Sequence, residues 1–232
     1  MKIIWLGHGS FRIETENKVL LVDPWLTGNP TLSEDQHEAA LEGATHIILT
    51  HTHFDHVVDV LPLAKARNIP VVGQYDLMGY WGESEEISTI GFNKGGTVDL
   101  GGPRLAMVPA SHSSTFTTED GLRASGSEVG YMLMSEGKTV YISGDTGMMA
   151  DMDWMGDYFQ PQVGIISAGG HFTMDMKQTA YAAKRYFNFK ALIPCHYKSF
   201  PILEQTAEYL IKALPDVEVI EPQVMQAIEI WN

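Results

Sequence analysis

Apolar positions in this chain come in short, β-branched runs, and each run is stopped by a turn or a polar cluster. That punctuation predicts a strand-rich chain with helices between the strands. Residues 2–6 end at Gly7-His8-Gly9-Ser10, and residues 11–14 pair with 19–22 across Asn17-Lys18. Further runs lie at 47–49, 71–72, 104–108, 130–134, 139–143, 163–167 and 191–193, with a hairpin turn at Glu136-Gly137, and the chain finishes with 227–231. Helical spacing marks three segments. Residues 54–68 carry apolar side chains at 57, 60, 61 and 64 and are closed by Pro70. Residues 173–186 begin at Thr173 as cap and continue through Met176, Ala180 and Ala183. Residues 201–214 keep Leu203, Ala207, Leu210 and Ile211 on one face until Pro215 stops them. No Ser/Pro-rich linker divides the sequence, so residues 1–232 are expected to form one domain of mixed α and β structure.

The polar residues carry the chemistry by their position. His51, His112, Asp145, His171 and His196 each follow directly after an expected strand, and sheet-based enzymes build sites at such ends. The segment His51-Thr52-His53-Phe54-Asp55-His56 places four metal-competent groups within six residues. In an extended turn the side chains at i and i+2 point the same way, so His51 and His53 can share one ion. Asp55 and His56, as the chain enters a helix, face toward a second. Imidazole and carboxylate donors without thiolate suit zinc, manganese or iron rather than a thiolate-rich structural zinc site. One motif cannot fill two coordination shells, and His112, Asp145 and His196 are the candidates to complete them.

Charge narrows the partners. With 15 basic against 29 acidic residues the formal net charge is −14, which repels polyphosphate at long range and disfavours a nucleic-acid binder. A small, even anionic, substrate stays compatible, because bound dications reverse the local field. The single cysteine, Cys195, allows no intrachain disulfide. The opening residues turn polar too soon for a signal peptide, and no apolar run approaches the ~20 residues of a bilayer span. A cytoplasmic location is the expectation. Exposed-looking aromatics such as Tyr80 and Trp81 leave room for a homo-oligomer.

HTHFDH at 51–56, the His of ASHS at 112, the Asp of SGDTG at 145 and the His of PCHY at 196 resemble the metallo-β-lactamase superfamily in order and context. The Gly-His-Gly-Ser opening, Asp23-Pro24 and Gly169-Gly170-His171-Phe172-Thr173-Met174 are similar to a family of small metal-dependent hydrolases near the L-ascorbate 6-phosphate lactonase branch. The resemblance implies a four-layer αβ/βα sandwich. It implies one metal on His51, His53 and His112, a second on Asp55, His56 and His196, and Asp145 bridging. Where that family usually has Gly two residues after the motif's last His, this chain has Val58. Flavodiiron oxygen reductases tend to carry Glu at the position of His53, which favours hydrolysis over redox chemistry here.

Two cations roughly 3.5–4 Å apart would bring a shared water to a pKa of about 7, and the resulting hydroxide would attack a small ester, lactone or phosphodiester. Asp55 or Asp145 would orient it, and His171, or else His8, would give the leaving group a proton. Gly169 and Gly170 would let backbone approach the substrate. A superfamily nuclease and a di-iron redox or binding protein are the competing functions. Competing structural roles accompany the weaker candidates. His171 and His8 can simply pack or cap, Asp145 can be a turn residue, and Asp59 can support a ligand imidazole or lie on a solvated helix face. Lys198 and Ser199 can contact substrate or sit in an ordinary loop. His37 and His46 are expected to be structural, Cys195 to be core, and Met148, Met149, Met152, Trp154 and Met155 to be core or subunit contact. Specificity is expected from loops 25–40, 75–94 and 113–127.

Overall fold

The computed structural model describes residues 1–118 and 121–230, the side chains of Thr118 and Ala124 excepted. Its strands run β1 (Lys2–Gly7), β2 (Ser10–Thr15), β3 (Lys18–Val22), β4 (His46–Ile48), β5 (Val71–Gln74), β6 (Thr89–Phe92), β7 (Thr97–Asp99) and β8 (Arg104–Pro109). They continue with β9 (Thr115–Thr118), β10 (Gly121–Ala124), β11 (Val129–Ser135), β12 (Lys138–Ile142), β13 (Val163–Ser167), β14 (Ala191–Cys195), β15 (Glu218–Val219) and β16 (Ala227–Glu229). The helices are α1 (His37–Leu41), α2 (Phe54–Val57), α3 (Val60–Arg67), α4 (Tyr75–Ser84), α5 (Met152–Phe159), α6 (Met176–Tyr186) and α7 (Glu208–Ala213).

Two seven-stranded sheets result, ordered β16-β1-β2-β3-β4-β5-β6 and β15-β14-β13-β12-β11-β8-β7, with β9 and β10 as a separate hairpin. Alternation along the strands explains how they stack. Ile3, Trp5, Phe11, Ile13, Leu20 and Val22 of the first sheet meet Leu105, Met107, Tyr131, Leu133, Val140 and Ile142 of the second in one buried cluster. The intervening residues point outward, where helices cover them. Leu21, Ile47 and Val71 pack with Val60, Ala64, Leu77 and Trp81. Met132, Tyr141 and Leu192 pack with Met152, Met155, Ala180 and Leu210. Strands apolar on both faces need a helix layer on the outside of each sheet, and the four-layer αβ/βα sandwich follows.

Several element boundaries differ from those the periodicity predicts. The expected helix 54–68 is two pieces, because Asp59 turns its carboxylate onto another loop instead of continuing the surface: it accepts from Leu26 N at 2.7 Å, Thr27 N at 2.9 Å and Thr27 Oγ1 at 2.7 Å. Asp59 is therefore neither a partner of a ligand imidazole nor part of a solvated face. Thr173 does not cap the next helix; Asp175 does, in a capping box with Gln178. Of 201–214 only Glu208–Ala213 is helical. Residues 75–84, expected as loop, form α4, and 115–118 and 121–124, also expected as loop, pair as β9 and β10. The final strand ends at Glu229, and Trp231 of the expected 227–231 run lies outside the described residues.

Candidate metal centre

Parallel and antiparallel pairing brings the C-terminal ends of β1, β3 and β4 to one end of the first sheet, and those of β8, β12 and β14 to the facing end of the second. His8, Asp23, His51, His112, Asp145 and His196 sit just beyond these ends. The motif loop then turns into α2, so that Asp55 and His56 leave the loop in a different direction from His51 and His53. Three of these residues, His8 (φ 51°), Asp23 (φ 43°) and His196 (φ 57°), are left-handed, a conformation uncommon outside glycine and concentrated where strain serves a site.

The side chains meet in two groups. His51 Nε2 lies 3.0 Å from His53 Nδ1, which lies 3.2 Å from His112 Nε2. On the other side Asp55 Oδ2 is 3.5 Å from both His56 Nε2 and His196 Nε2. Asp145 Oδ2 stands between the groups, 3.9 Å from His51 Nε2, 3.7 Å from His112 Nε2, 3.5 Å from His56 Nε2 and 3.0 Å from His196 Nε2. Donors about 2.1 Å from a tetrahedral ion are roughly 3.4 Å from one another, so both groups have the spacing of a coordination shell. His56 Nε2 supports the same fit: it is buried and has no hydrogen-bond partner. An orphaned imidazole nitrogen facing carboxylates is a lone pair awaiting a cation.

His8 joins the second group in space, at a shorter distance from Asp55 than the other two histidines. Its Nε2 lies 2.7 Å from Asp55 Oδ2, a hydrogen-bond length shorter than the edges made by His56 and His196, and its Nδ1 pairs with the Ser199 hydroxyl. Burial drives the His8 pKa down to about 4 despite the hydrogen bond to Asp55, which leaves a neutral ring with one N–H to give. Around the ligands a further ring of contacts fixes orientation. Asp23 accepts from Thr50 N at 2.7 Å and from the Thr50 hydroxyl at 2.5 Å, and holds His56 Nδ1 at 2.8 Å. Thr52 under the motif loop bonds to the hydroxyls of Ser114 and Ser125. Gly9 comes so close to His56 that a Cβ there would lie 2.8 Å from the ring carbon Cε1.

Electrostatics binds the cluster together. Burial opposes charge on every member, yet His196 and His56 pull the Asp145 carboxyl well below its usual range, and His56 does the same to Asp55. In turn burial is outweighed at His196, where Asp145 lifts the pKa to about 9, and at His56, where Asp145, Asp55 and Asp23 hold it well above its ordinary value. His51 goes the other way, pushed well down by burial and by His56. Protons and cations therefore compete for the same lone pairs.

The remaining expectations divide. His171 is exposed, its ring set edge-on against Phe172 at 4.5 Å, and it is not among the residues lining the cavity over the ligands. Gly169 does permit a close approach, but to the carbonyl of His196 rather than to open space: a Cβ would meet that oxygen at 1.9 Å. Lys198 turns away to Glu221, 2.7 Å from its carboxylate, and Ser199 is spent on His8. Met152 and Met155 are core, Cys195 is buried, and Val58 lines the cavity. The roles of Asp23, Thr52 and Ser125 were not legible from residue type. For Asp23 the signal was its place at a strand end before Pro24.

Comparison with known proteins gives the family and the fold. Residues 18–197 match the Beta-lactamase superfamily domain. The chain is 77% identical over 230 residues to a UPF0173 metal-dependent hydrolase of Ruegeria pomeroyi, covering 99% of this chain and 100% of that one. Among solved structures it resembles Igni18, a novel metallo hydrolase from Ignicoccus hospitalis, with a TM-score of 0.84 at 28% identity over 98% of this chain and 97% of that one. The metallo-beta-lactamase fold protein YhfI from Bacillus subtilis shares the fold, with a TM-score of 0.75 at 16% identity over 98% and 99% of the two chains. The chain thus belongs to the beta-lactamase superfamily and, within it, to the UPF0173 metal-dependent hydrolases. No helix among the described residues is long and apolar enough to cross a membrane.

Proposed function

We propose that this chain hydrolyses a small ester, lactone or phosphodiester at a two-metal centre. One ion is held by His51, His53 and His112, the other by Asp55, His56 and His196, and Asp145 is shared. The observation that carries this reading is the position of Asp145 Oδ2, 3.0–3.9 Å from imidazole nitrogens of both groups. Zinc is the expected ion, and the nitrogen and oxygen donor set also accepts manganese or iron. Divalent ions bound there would acidify a water and polarise the substrate's carbonyl or phosphoryl oxygen.

The protein's own part is orientation. Asp55 and Asp145 present carboxylate oxygens to the water's proton, while Asp23 and His8 keep His56 and Asp55 in place. We assign the leaving group's proton to the water itself, since His171 is not among the residues lining the cavity and both ring nitrogens of His8 are hydrogen-bonded. A nuclease reading gains no support from a cavity without Lys or Arg among its described lining residues. Elemental analysis of protein purified without chelator, with a panel of chromogenic esters, lactones and phosphodiesters, is the test. About two equivalents of metal and turnover of at least one class are expected. Protein that holds no metal and stays inactive after zinc and manganese are added would falsify the reading.

A further inference from the structure

We propose that the substrate carries a neutral, apolar acyl or aryl group several carbons long, seated in the cavity that opens from the metal centre. This rests on the hydrolase reading above and concerns the other end of the substrate. The cavity measures about 1080 Å³, just above the ~300–1,000 Å³ usual for small-molecule clefts. His53, Asp55, His112, Asp145 and His196 form its floor. Its walls come from separate elements: Phe54 and Val58 from α2 and its end, Trp81 from α4, Leu122 from the β9–β10 hairpin, and Phe172 and Ile202 from loops.

Several of these side chains are unusually open for their type. Phe54 is 63% exposed, Leu122 69%, Phe172 55% and Ile202 56%. Scattered singly they would need no explanation, but here elements far apart in sequence converge on one hollow, and apolar surface gathered around a reactive floor marks a ligand wall. Charge decides what kind of ligand. No Lys or Arg is among the residues lining the cavity. Lys198, two residues past His196, is held by Glu221 at 2.7 Å. Glu85, on the wall, is paired with Lys65 at 2.7 Å, and the chain as a whole carries −14. An anionic tail meets no Lys or Arg among the described lining residues and sits in the repulsive field of an acidic chain, whereas each buried methylene gains the hydrophobic term.

In the reaction, the water oxygen bonds to the carbonyl carbon, the acyl C–O bond breaks, and the leaving oxygen receives a proton from that water. No oxidant or reductant is needed.

The experiment compares tails with the head held constant, in metal-loaded protein. 4-Nitrophenyl esters from acetate to octanoate are compared with the 4-nitrophenyl monoester of suberic acid, which ends in a carboxylate. In parallel, acetohydroxamate, octanohydroxamate and suberic monohydroxamate are titrated by calorimetry. Each methylene should raise kcat/KM and affinity about two- to fourfold until the wall is filled. Octanoyl should exceed acetyl at least tenfold, and the carboxylate-ended compounds should fall at least tenfold below octanoyl. Leu122→Asp and Phe172→Asp should each lower the octanoyl-to-acetyl ratio in both measurements. Hydroxamate affinities independent of tail, or a preference for the carboxylate-ended compound, overturn the proposal whatever the turnover. Tail-dependent binding without turnover of any ester leaves the apolar seat standing and removes the ester form of the hydrolase reading. Turnover with tail-independent binding does the reverse.

Discussion

At the residue scale, the ligands and the groups that steer them are distinguishable by distance and by energy. Asp23 touches no proposed ion, yet it fixes the ring of His56 and raises that ring's basicity. Replacing Asp23 with Ala should weaken metal binding about 10–100-fold, with Asp23→Asn retaining part of it, measured by competition with a chromogenic chelator. Asp59 should behave differently. Its three hydrogen bonds hold Leu26 and Thr27, so Asp59→Ala should cost about 1–3 kcal/mol in urea unfolding while metal stoichiometry stays at the parent value. The contrast shows what was legible. His51, His53, Asp55, His56, His112, Asp145 and His196 could be chosen as candidate donors from residue type, motif spacing and strand-end position, and these side chains lie close together. Asp59 and Ser199 could not, since their partners, Thr27 and His8, are set by tertiary contact alone. His171 satisfied the same positional rule as the ligands, yet the chain after β13 turns it outward at φ 37°.

At the scale of elements, strands marked by β-branched runs were readable, even the short β4 and β5, whereas the glycine-containing α4 and the β9–β10 pair were not. The β11–β12 hairpin sits where its turn dipeptide placed it, with Ser135 opposite Lys138. Helix α4 hid behind two glycines, Gly79 and Gly82, which lower helix propensity, although Leu77, Met78 and Trp81 bury one face. Tertiary burial outweighed propensity there. Close approach between elements gives a further prediction. The β1–β2 turn presses Gly9 against His56, so Gly9→Ala must displace that ring. Occupancy of the second ion should fall while the group on His51, His53 and His112 keeps its own, read by metal titration as a loss of about one equivalent.

At the scale of the whole molecule, pH should move the stripped and the loaded protein in opposite directions. In chelator-stripped protein, His196 titrates near 9 when folded against 6.5 ordinarily. A raised histidine gives stability that is complete below about 6.5 and is lost as pH climbs through about 9. His8, depressed to about 4, adds a loss of opposite sense as pH falls from about 6.5 toward 4. Stripped protein should therefore melt highest near pH 6.5. Loaded protein should gain most over it at pH 8–9, because metal must displace protons from His56 and His196, and that gain should vanish toward pH 5; calorimetric melting across pH, with and without zinc, reads both. The layered architecture was legible through the family resemblance of the motifs, whereas the periodicity alone indicated a strand-rich chain of mixed α and β structure.

Asp55 and His56 belong to the sheet built first along the chain, whereas Asp145 and His196 come from the sheet built last. Neither half carries a full set of donors, so an ion caught here rivets the two layers across their shared edge. A growing polypeptide cannot close the second cage until position 196 has emerged and β14 has docked. Cation uptake then reports that the sandwich is finished, and a chain cut short of that histidine should leave the ribosome with a half-built pocket.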